Sequence, residues 1–182
     1  MEKRKQKYIF YCSNHNALNL RSLSLKNDYS FELWKPQIDK ITPKNLFFKS
    51  LIVWWVFYYF RIFRSYDYRI FIIYFKNKEV AHYSVVLPKF FRTPFMKNDD
   101  LQIGPIGTNE KHRRKGLNSY AIAQIFEFFR GRDINFWYIV REENKISREF
   151  IEKIGFIKYG EGIKKKRFGF GLFDTFIIEK KY

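Results

Sequence analysis

The sequence predicts one mixed α/β domain, in which a mostly antiparallel sheet contains one pair of parallel strands and is flanked by helices. Strand-like apolar runs recur along the chain, and two helical segments fall between strands in its second half. A length of 182 residues fits a single domain, and no linker or internal repeat divides it. We expect residues 1–182 to form one unit, with an amino-terminal part at 1–66 and a larger part at 67–182.

Each strand is predicted from its apolar pattern, and each helix from its period and its end signals. Gly104, Pro105 and Gly107 lie inside one strand, which indicates a bulge or a close approach by another molecule. Gly155 ends the last helix. The seven predicted strands cover residues 8–12, 68–75, 79–87, 101–109, 134–140 and a twisted pair within 156–181, and the helices cover 43–63, 117–130 and 145–154.

The first predicted helix is rich in aromatic residues. Thr42 and Pro43 supply an N-cap and a first-turn proline, which places the helix at residues 43–63. Its uncharged middle, residues 50–60, is well short of the roughly 20 residues that a membrane-spanning helix needs. Two interpretations remain open. The helix is a buried core helix, or it is an interfacial helix that touches the inner face of a membrane through Trp54, Trp55, Tyr58 and Tyr59.

The charge balance points to an acidic partner. The net charge is +17, with 35 Lys and Arg against 18 Asp and Glu, which suits nucleic acid, an anionic membrane or a phosphate-bearing small molecule. Hydrophobic residues at 46% and aromatic residues at 21% exclude a disordered tail, although nucleotide bias in the gene is another explanation of the aromatic excess. Cys12 stands alone, which excludes an intramolecular disulfide and favours a cytoplasmic setting.

Residues 110–121, EKHRRKGLNSYA, place a basic run and a glycine at the start of a helix. A glycine there leaves backbone N–H groups of the first helical turn unpaired and pointing the same way, which makes an anion site by geometry and by dipole. Arg113, Arg114 and Lys115 add positive charge. The alternative is a solvated loop followed by an ordinary capped helix.

Two motifs in order resemble those of the GNAT superfamily, the Gcn5-related N-acetyltransferases. The family's phosphate loop, Arg/Gln-x-x-Gly-x-Gly/Ala at the start of a helix, is matched by residues 113–118, with Asn118 at the last small position. Its later signature is matched by Asn144, Ser147, Phe150 and the Gly155–Phe156 pair. The position at which many members carry a tyrosine general acid is Ile151 here, so that mechanism is unsupported.

The resemblance implies that residues 67–182 form the cofactor-binding core, that its two parallel strands splay apart, and that acetyl-CoA binds between them with its pyrophosphate at the loop. The residues that it assigns to the cofactor are Ile106, Gly107, Thr108, Arg113, Arg114, Lys115, Gly116, Leu117, Asn118, Ser119, Asn144 and Ser147, and no metal is expected. The alternative for Asn144 and Ser147 is that they cap the helix that they begin.

Three residues are candidates for the base that deprotonates the amine. The resemblance implies Asp100, because one branch of the family has a glutamate thirteen residues before the loop arginine. His82 has an ordinary pKa near neutrality, and Glu142 lies just past the second splayed strand. The alternatives are a turn aspartate for Asp100 and a core histidine for His82.

The acceptor is predicted from charge and from a further resemblance, to GNAT-like proteins of bacterial surface-polysaccharide clusters, which implies an amine on a nucleotide-linked sugar. Lys89, Arg92, Lys97 and the run at 164–167 would meet its diphosphate, and Phe90, Phe91 and Phe95 would stack on its rings. A peptide or protein amine is the alternative acceptor, and polyamines or aminoglycosides fit a basic protein worst. A non-catalytic nucleic-acid-binding module is the alternative of another class; we expect no nucleic-acid partner, and the sequence leaves the oligomeric state open.

Overall fold

The computed structural model describes residues 6–14, 24–167 and 173–182. Its strands are β1 (Lys7–Asn14), β2 (Tyr29–Trp34), β3 (Arg69–Phe75), β4 (Glu79–Pro88), β5 (Leu101–Thr108), β6 (Asn135–Arg141), β7 (Ile157–Lys165) and β8 (Thr175–Lys181). Its helices are α1 (Lys49–Tyr59), α2 (Leu117–Phe128) and α3 (Lys145–Lys153), and a short 3₁₀ turn covers Glu110–His112. Parts of the predicted amino-terminal segment and of the last predicted strand pair lie outside the described residues.

The described strands form one sheet in the order β2-β3-β4-β5-β6-β1-β7-β8. Neighbouring strands are antiparallel except β5 and β6, which are parallel. This confirms the predicted mixed, mostly antiparallel sheet with one parallel pair. The predicted number of seven strands is wrong, because β2 pairs with β3 from Tyr29 opposite Phe75 to Trp34 opposite Ile70 and adds an eighth.

The sheet separates two hydrophobic layers. On one face, α2 and α3 cover apolar residues of β1, β5 and β6, among them Tyr11, Leu101 and Phe136. On the other face, α1 packs Leu51, Trp54 and Phe57 against β3 and β4. Each strand contributes to both layers because successive side chains point to opposite faces. We call these the α2 face and the α1 face.

The first helix is shorter than the sequence predicts. Its N-cap is Phe48, not Thr42, and the chain before it makes a turn in which Asn45 has a φ of +58°. The Tyr74 hydroxyl donates to the carbonyl of Lys44 at 2.9 Å, which ties that turn to the sheet. The helix ends two residues before Arg61, whose φ is +54°. The predicted bounds of 43–63 are therefore wrong at both ends.

The position of α1 bears on the membrane hypothesis. Leu51 is fully buried, and Trp54 and Phe57 are nearly so. The aromatic helix therefore packs on the sheet as a core helix through this stripe. Within the described residues, no helix combines the length and the apolar character needed to cross a bilayer.

Candidate active site

The parallel strands β5 and β6 separate soon after they begin. They pair only from Leu101 opposite Phe136 to Ile103 opposite Tyr138. Gly104 follows at a φ of +131°, which glycine adopts without strain, and Pro105 has no N–H to donate. The ladder stops at this point and a gap opens towards the carboxyl ends of both strands. We call the point of separation the crotch.

Backbone groups of β5 beyond the crotch face this gap. The amide of Asn109 donates to the carbonyl of Ala81 on β4 at 2.9 Å. Backbone groups of an antiparallel strand alternate in direction, and the register from Ile106 to Thr108 against β4 is regular. The N–H and C=O groups of Thr108 and Ile106 therefore point away from β4. They offer hydrogen bonds to an extended molecule lying in the gap.

The role of Gly107 differs from the bulge or the close approach by another molecule that the sequence predicts. It lies opposite Tyr83 on β4, and a Cβ at this position would come 2.4 Å from Cε1 of that ring. The Tyr83 ring stacks on Phe48 at 5.6 Å, and burial raises the pKa of its hydroxyl. The glycine therefore makes room for an aromatic ring that crosses β5 on the α1 face, where it lines a cavity of about 390 Å³.

The turn before α2 is shaped for an anion. Gly116 is the N-cap with a φ of +76°, and no side chain caps the helix. The first intrahelical bond runs from the amide of Tyr120 to the carbonyl of Gly116. The amides of the intervening residues, Leu117 to Ser119, point out of the helix end without an acidic residue in the first turn. Arg113 is exposed and pairs with Glu110 at 3.0 Å.

Asn118, the departure from the family's loop pattern, faces inwards. Its Oδ1 is buried and has no hydrogen-bond partner among the described residues. A buried amide oxygen without a donor is costly, and a bound molecule with an N–H or O–H group would satisfy it. The loop and the splayed edge together therefore fit a ligand that carries both anionic and amide groups, as acetyl-CoA does.

His112 also belongs to this site, although the sequence did not single it out. It is buried, its Nδ1 lies 2.8 Å from the Tyr29 hydroxyl, and its Nε2 lies 3.6 Å from Oε1 of Glu79. Lys115 lies over the Tyr29 ring at 5.9 Å. These contacts fix the loop to β2 and β4. Both partners are far away in the chain, so only the position of His112 within the basic run could have drawn attention to it.

Asn144 and Ser147 lie at the start of α3. The Oδ1 of Asn144 accepts from the amide of Ser147 at 3.1 Å, which is the capping contact that the sequence left open. The side chain of Ser147 hydrogen-bonds Tyr138 on β6, and burial raises the pKa of that tyrosine. This pair therefore docks α3 against the second splayed strand.

Asp100 is buried and every side of its carboxylate is occupied. Its Oδ1 accepts from the amide and the side chain of Asn135, both at 3.1 Å. Its Oδ2 accepts from the amide of Lys97 at 2.9 Å and from Nε1 of Trp137 at 2.8 Å. A carboxylate has about four acceptor positions, so none is left for a substrate proton. Asp100 joins the start of β5 to β6.

His82 is fully buried on the α2 face. Its Nδ1 lies 2.7 Å from Oγ1 of Thr108 and its Nε2 lies 2.9 Å from Oγ of Ser84. Burial lowers the pKa of His82 from 6.5 to about 4. The ring is therefore neutral near pH 7, and it supports the edge of β5 from the α2 face through its contact with Thr108. Glu142, in contrast, is exposed in the turn after β6, and its carbonyl accepts from Nη1 of Arg148.

A second cavity, of about 210 Å³, lies at the crotch on the α1 face. It is lined by Trp54, Leu87, Arg92, Gln102, Gly104, Pro105, Ile139 and Phe176. A neighbouring cavity of about 200 Å³ under α1 shares Trp54 and Arg92 with it. Of residues 88–100, Arg92 lines the cavity at the gap, whereas Phe90 is 4% exposed in the core and offers no stacking surface.

Metal-binding residues do not gather anywhere in the described part of the chain. No group of three His, Cys, Asp or Glu side chains comes close enough to hold an ion there.

A model of the acetyltransferase (GNAT) family matches residues 38–156, more than half of the chain. The chain belongs to this family, whose members use acetyl-CoA as acyl donor. A search among curated proteins found no match.

Solved structures resemble the fold at low sequence identity. A functionally unknown conserved protein from Staphylococcus epidermidis ATCC 12228 has 13% identity and a TM-score of 0.55, covering 87% of this chain and 60% of its own. A Drosophila protein has 15% identity and a TM-score of 0.57, and the match covers 87% of this chain and 49% of the Drosophila protein. A tandem GNAT protein from the clavulanic acid biosynthesis pathway has 12% identity and a TM-score of 0.59, and the match covers 86% of this chain and 51% of the tandem protein. The chain spans between about half and three fifths of the length of these structures.

Proposed function

We propose that this protein is an N-acetyltransferase that moves the acetyl group of acetyl-CoA to an amine. The observation that carries the proposal is the free edge of β5, where Ile106 and Thr108 present backbone groups to the gap and lead directly to the uncapped start of α2. In this proposal the amides of residues 116–119 take the pyrophosphate, with Arg113, Arg114 and Lys115 around it.

The acyl donor supplies an activated carbonyl carbon. The protein has to orient this carbon and accept a proton from the amine. One proton of the ammonium group passes to a base before the attack. The amine nitrogen then forms a bond to that carbon and the carbon–sulfur bond breaks, and the second proton that the nitrogen loses protonates the CoA thiolate, which leaves as the thiol. Asp100 and His82 are buried with their acceptor atoms engaged, so we assign them structural roles. Glu142 keeps an exposed carboxylate beyond the end of β6, and it is the base that we propose.

The acceptor that we propose is an amine on a nucleotide-linked sugar, as in surface-glycan synthesis. The crotch cavity supports this choice because it combines Arg92 with the aromatic walls of Trp54 and Phe176. Its volume of about 210 Å³ suits one ring better than an extended peptide. The net charge of +17 disfavours polycationic acceptors by repulsion.

Calorimetry with acetyl-CoA tests the cofactor proposal, and α2 supplies a matched pair of glycines. Gly116 and Gly131 have φ values of +76° and +80°, and a Cβ at either would meet nothing within 4 Å. Gly116→Trp should abolish binding because the indole covers the amides of the first turn. Gly131→Trp at the other end should bind normally, and each variant should lose about 1–2 kcal/mol of stability from left-handed strain.

Absence of acetyl-CoA binding by the wild-type chain would refute the cofactor proposal. Equal loss of binding in both tryptophan variants would refute the assigned position of the pyrophosphate. The acceptor is tested by thioester release from acetyl-CoA with nucleotide-linked amino sugars, peptides and polyamines. Turnover confined to peptides would leave the cofactor proposal intact and replace the acceptor.

A further inference from the structure

We infer that the outer face of α1, with the turns on either side of it, docks on the surface of an anionic lipid bilayer. The inference does not depend on the proposed acetyl transfer, because it rests on a surface outside the gap and the loop before α2. We call this surface the α1 patch, and its residues are Ile38, Phe47, Ile52, Trp55, Tyr59 and Phe60.

The outer face of α1 is apolar like the inner one. The buried stripe of the helix faces the sheet, so the side chains about half a turn away point outwards, and these are Ile52, Val56 and Tyr59. Ile52 is 44% exposed, and no residue from 50 to 60 carries a charge. A helix at a protein surface ordinarily has polar residues on its outer face, and one that is apolar all round is covered on both sides.

Neighbouring segments extend this apolar face. The ring centres of Trp55 and Tyr59 lie 4.7 Å apart on the helix. Nε1 of Trp55 donates to the carbonyl of Gln37 at 2.8 Å, which holds that segment beside α1, and the next residue, Ile38, is 79% exposed. Phe60 at the other end of the helix is 74% exposed. A group of exposed apolar side chains of this size is typical of an interaction surface.

Basic residues flank the α1 patch in the chain. Residues 35–66 contain six Lys or Arg and one acidic residue, Asp39, and the next carboxylate, Asp67, is paired with Arg132. Basic side chains around an apolar face attract anionic headgroups, while the apolar side chains enter the boundary between headgroups and acyl chains. All six basic residues are exposed, namely Lys35, Lys40, Lys44, Lys49, Arg61 and Arg64.

A bilayer fits this combination better than other partners do. Two α1 patches facing each other in a symmetric dimer would bring like charges together. Nucleic acid supplies negative charge, but aliphatic side chains such as Ile38 and Ile52 offer its bases nothing to stack on. An anionic bilayer supplies both the charge and an apolar boundary, and Trp and Tyr side chains favour the level of its headgroups.

The docked orientation brings the crotch cavity close to the lipid. Trp54, on the inner side of α1, lines that cavity. The helix therefore stands between the bilayer and the cavity, and the two are separated by about one helix diameter, ~10 Å.

Sedimentation of the whole protein with vesicles tests the inference, comparing phosphatidylcholine alone with phosphatidylcholine that contains phosphatidylglycerol. We expect binding to the mixed vesicles that weakens as the salt concentration rises. Ile52→Gln should weaken this binding by about fivefold or more, because an apolar contact with the lipid is lost. Ile146→Gln makes the same change at an 83% exposed position of α3, on the other face of the sheet, and should bind as the wild type does.

A second pair of variants tests the charges. Lys49→Gln combined with Arg61→Gln should weaken binding to the mixed vesicles by about 30-fold. Lys145→Gln combined with Lys153→Gln removes the same charge from exposed positions of α3 and should change the affinity by less than about threefold.

Tryptophan fluorescence gives a direct measurement of the contact. Trp34, Trp54 and Trp137 are only 4–6% exposed, so Trp55 is the tryptophan that lipid can approach. Lipids with brominated acyl chains should quench the fluorescence of the wild type, and this quenching should disappear in Trp55→Phe.

Three results would overturn the inference. The first is an equal loss of vesicle binding in Ile52→Gln and Ile146→Gln, or equal binding to vesicles without phosphatidylglycerol. The second is a dimer in lipid-free buffer, detected by light scattering, that Ile52→Gln dissociates, because a second copy then covers the α1 patch. The third is oligonucleotide binding that depends on Lys49 and Arg61 in a protein that does not bind vesicles. Thermal unfolding of each variant confirms that lost binding is not lost folding.

Discussion

The carboxylate of Asp100 offers the sharpest test of whether a residue serves catalysis or the fold. It receives hydrogen bonds from Asn135, Lys97 and Trp137, and its two oxygens each accept two of them. In Asp100→Asn one oxygen becomes an NH₂ group, which must face two donors instead of accepting from them. Each buried donor left without an acceptor costs about 1–3 kcal/mol, so we expect a loss of about 2–6 kcal/mol in the free energy of unfolding.

Urea denaturation followed by tryptophan fluorescence measures this loss. Asp99→Asn is the matched control, because Asp99 is exposed beside Asp100 and should change stability by no more than about 0.5 kcal/mol. The structural assignment would be refuted if Asp100→Asn kept near-wild-type stability and yet lost acetyl transfer. That result would return Asp100 to the role of base.

Three further predictions concern the site. Gly107→Ala should lower the free energy of unfolding by about 1–3 kcal/mol, because the added methyl group overpacks against Tyr83. Adding Tyr83→Leu should recover part of this loss in a double-mutant cycle measured by urea unfolding. Losses that simply add would contradict the contact. His82 has a pKa of about 4 in the folded protein against 6.5 for the ordinary imidazole, so the unfolded chain binds a proton more readily between these values. The free energy of unfolding should therefore fall by about 3 kcal/mol as the pH drops from 6.5 to 4. An NMR titration that gives His82 a pKa near 6.5 would disprove this. Asn144→Ala should cost about 1 kcal/mol as a lost cap with unchanged acetyl-CoA affinity, and a large affinity loss would make Asn144 a cofactor contact.

The order of the elements after residue 67 could be predicted because local patterns decide it. The bulged strand with Gly104 and Pro105, the glycine that begins α2 and the cap of α3 all carry their signals within a few residues. β2 had such a signal too, since Tyr29, Phe31 and Leu33 alternate with more polar neighbours, and it was missed. The sequence prediction missed β2 because this alternation of apolar and polar residues, with a period of two, was overlooked.

Other features depend on contacts that no local pattern shows. The start of α1 is decided by the hydrogen bonds of Lys44 and Asn45 to the β3–β4 hairpin, which override the Thr42 signal. Asp100 resembles a catalytic carboxylate in sequence, but its donors at Asn135 and Trp137 come from another strand. The chemistry of such a residue is determined by its tertiary partners.

The early separation of β5 and β6 has a consequence for how the chain folds. The sheet consists of two four-stranded halves, β2-β3-β4-β5 and β6-β1-β7-β8, joined by only three residue pairs. The first half is contiguous in sequence, from β2 to β5, so it can assemble before the rest of the chain is synthesised. The second half needs β1, which waits for β6 and β7 to be synthesised more than a hundred residues later. We expect biphasic folding, in which closure of this long loop around β1 is the slow step.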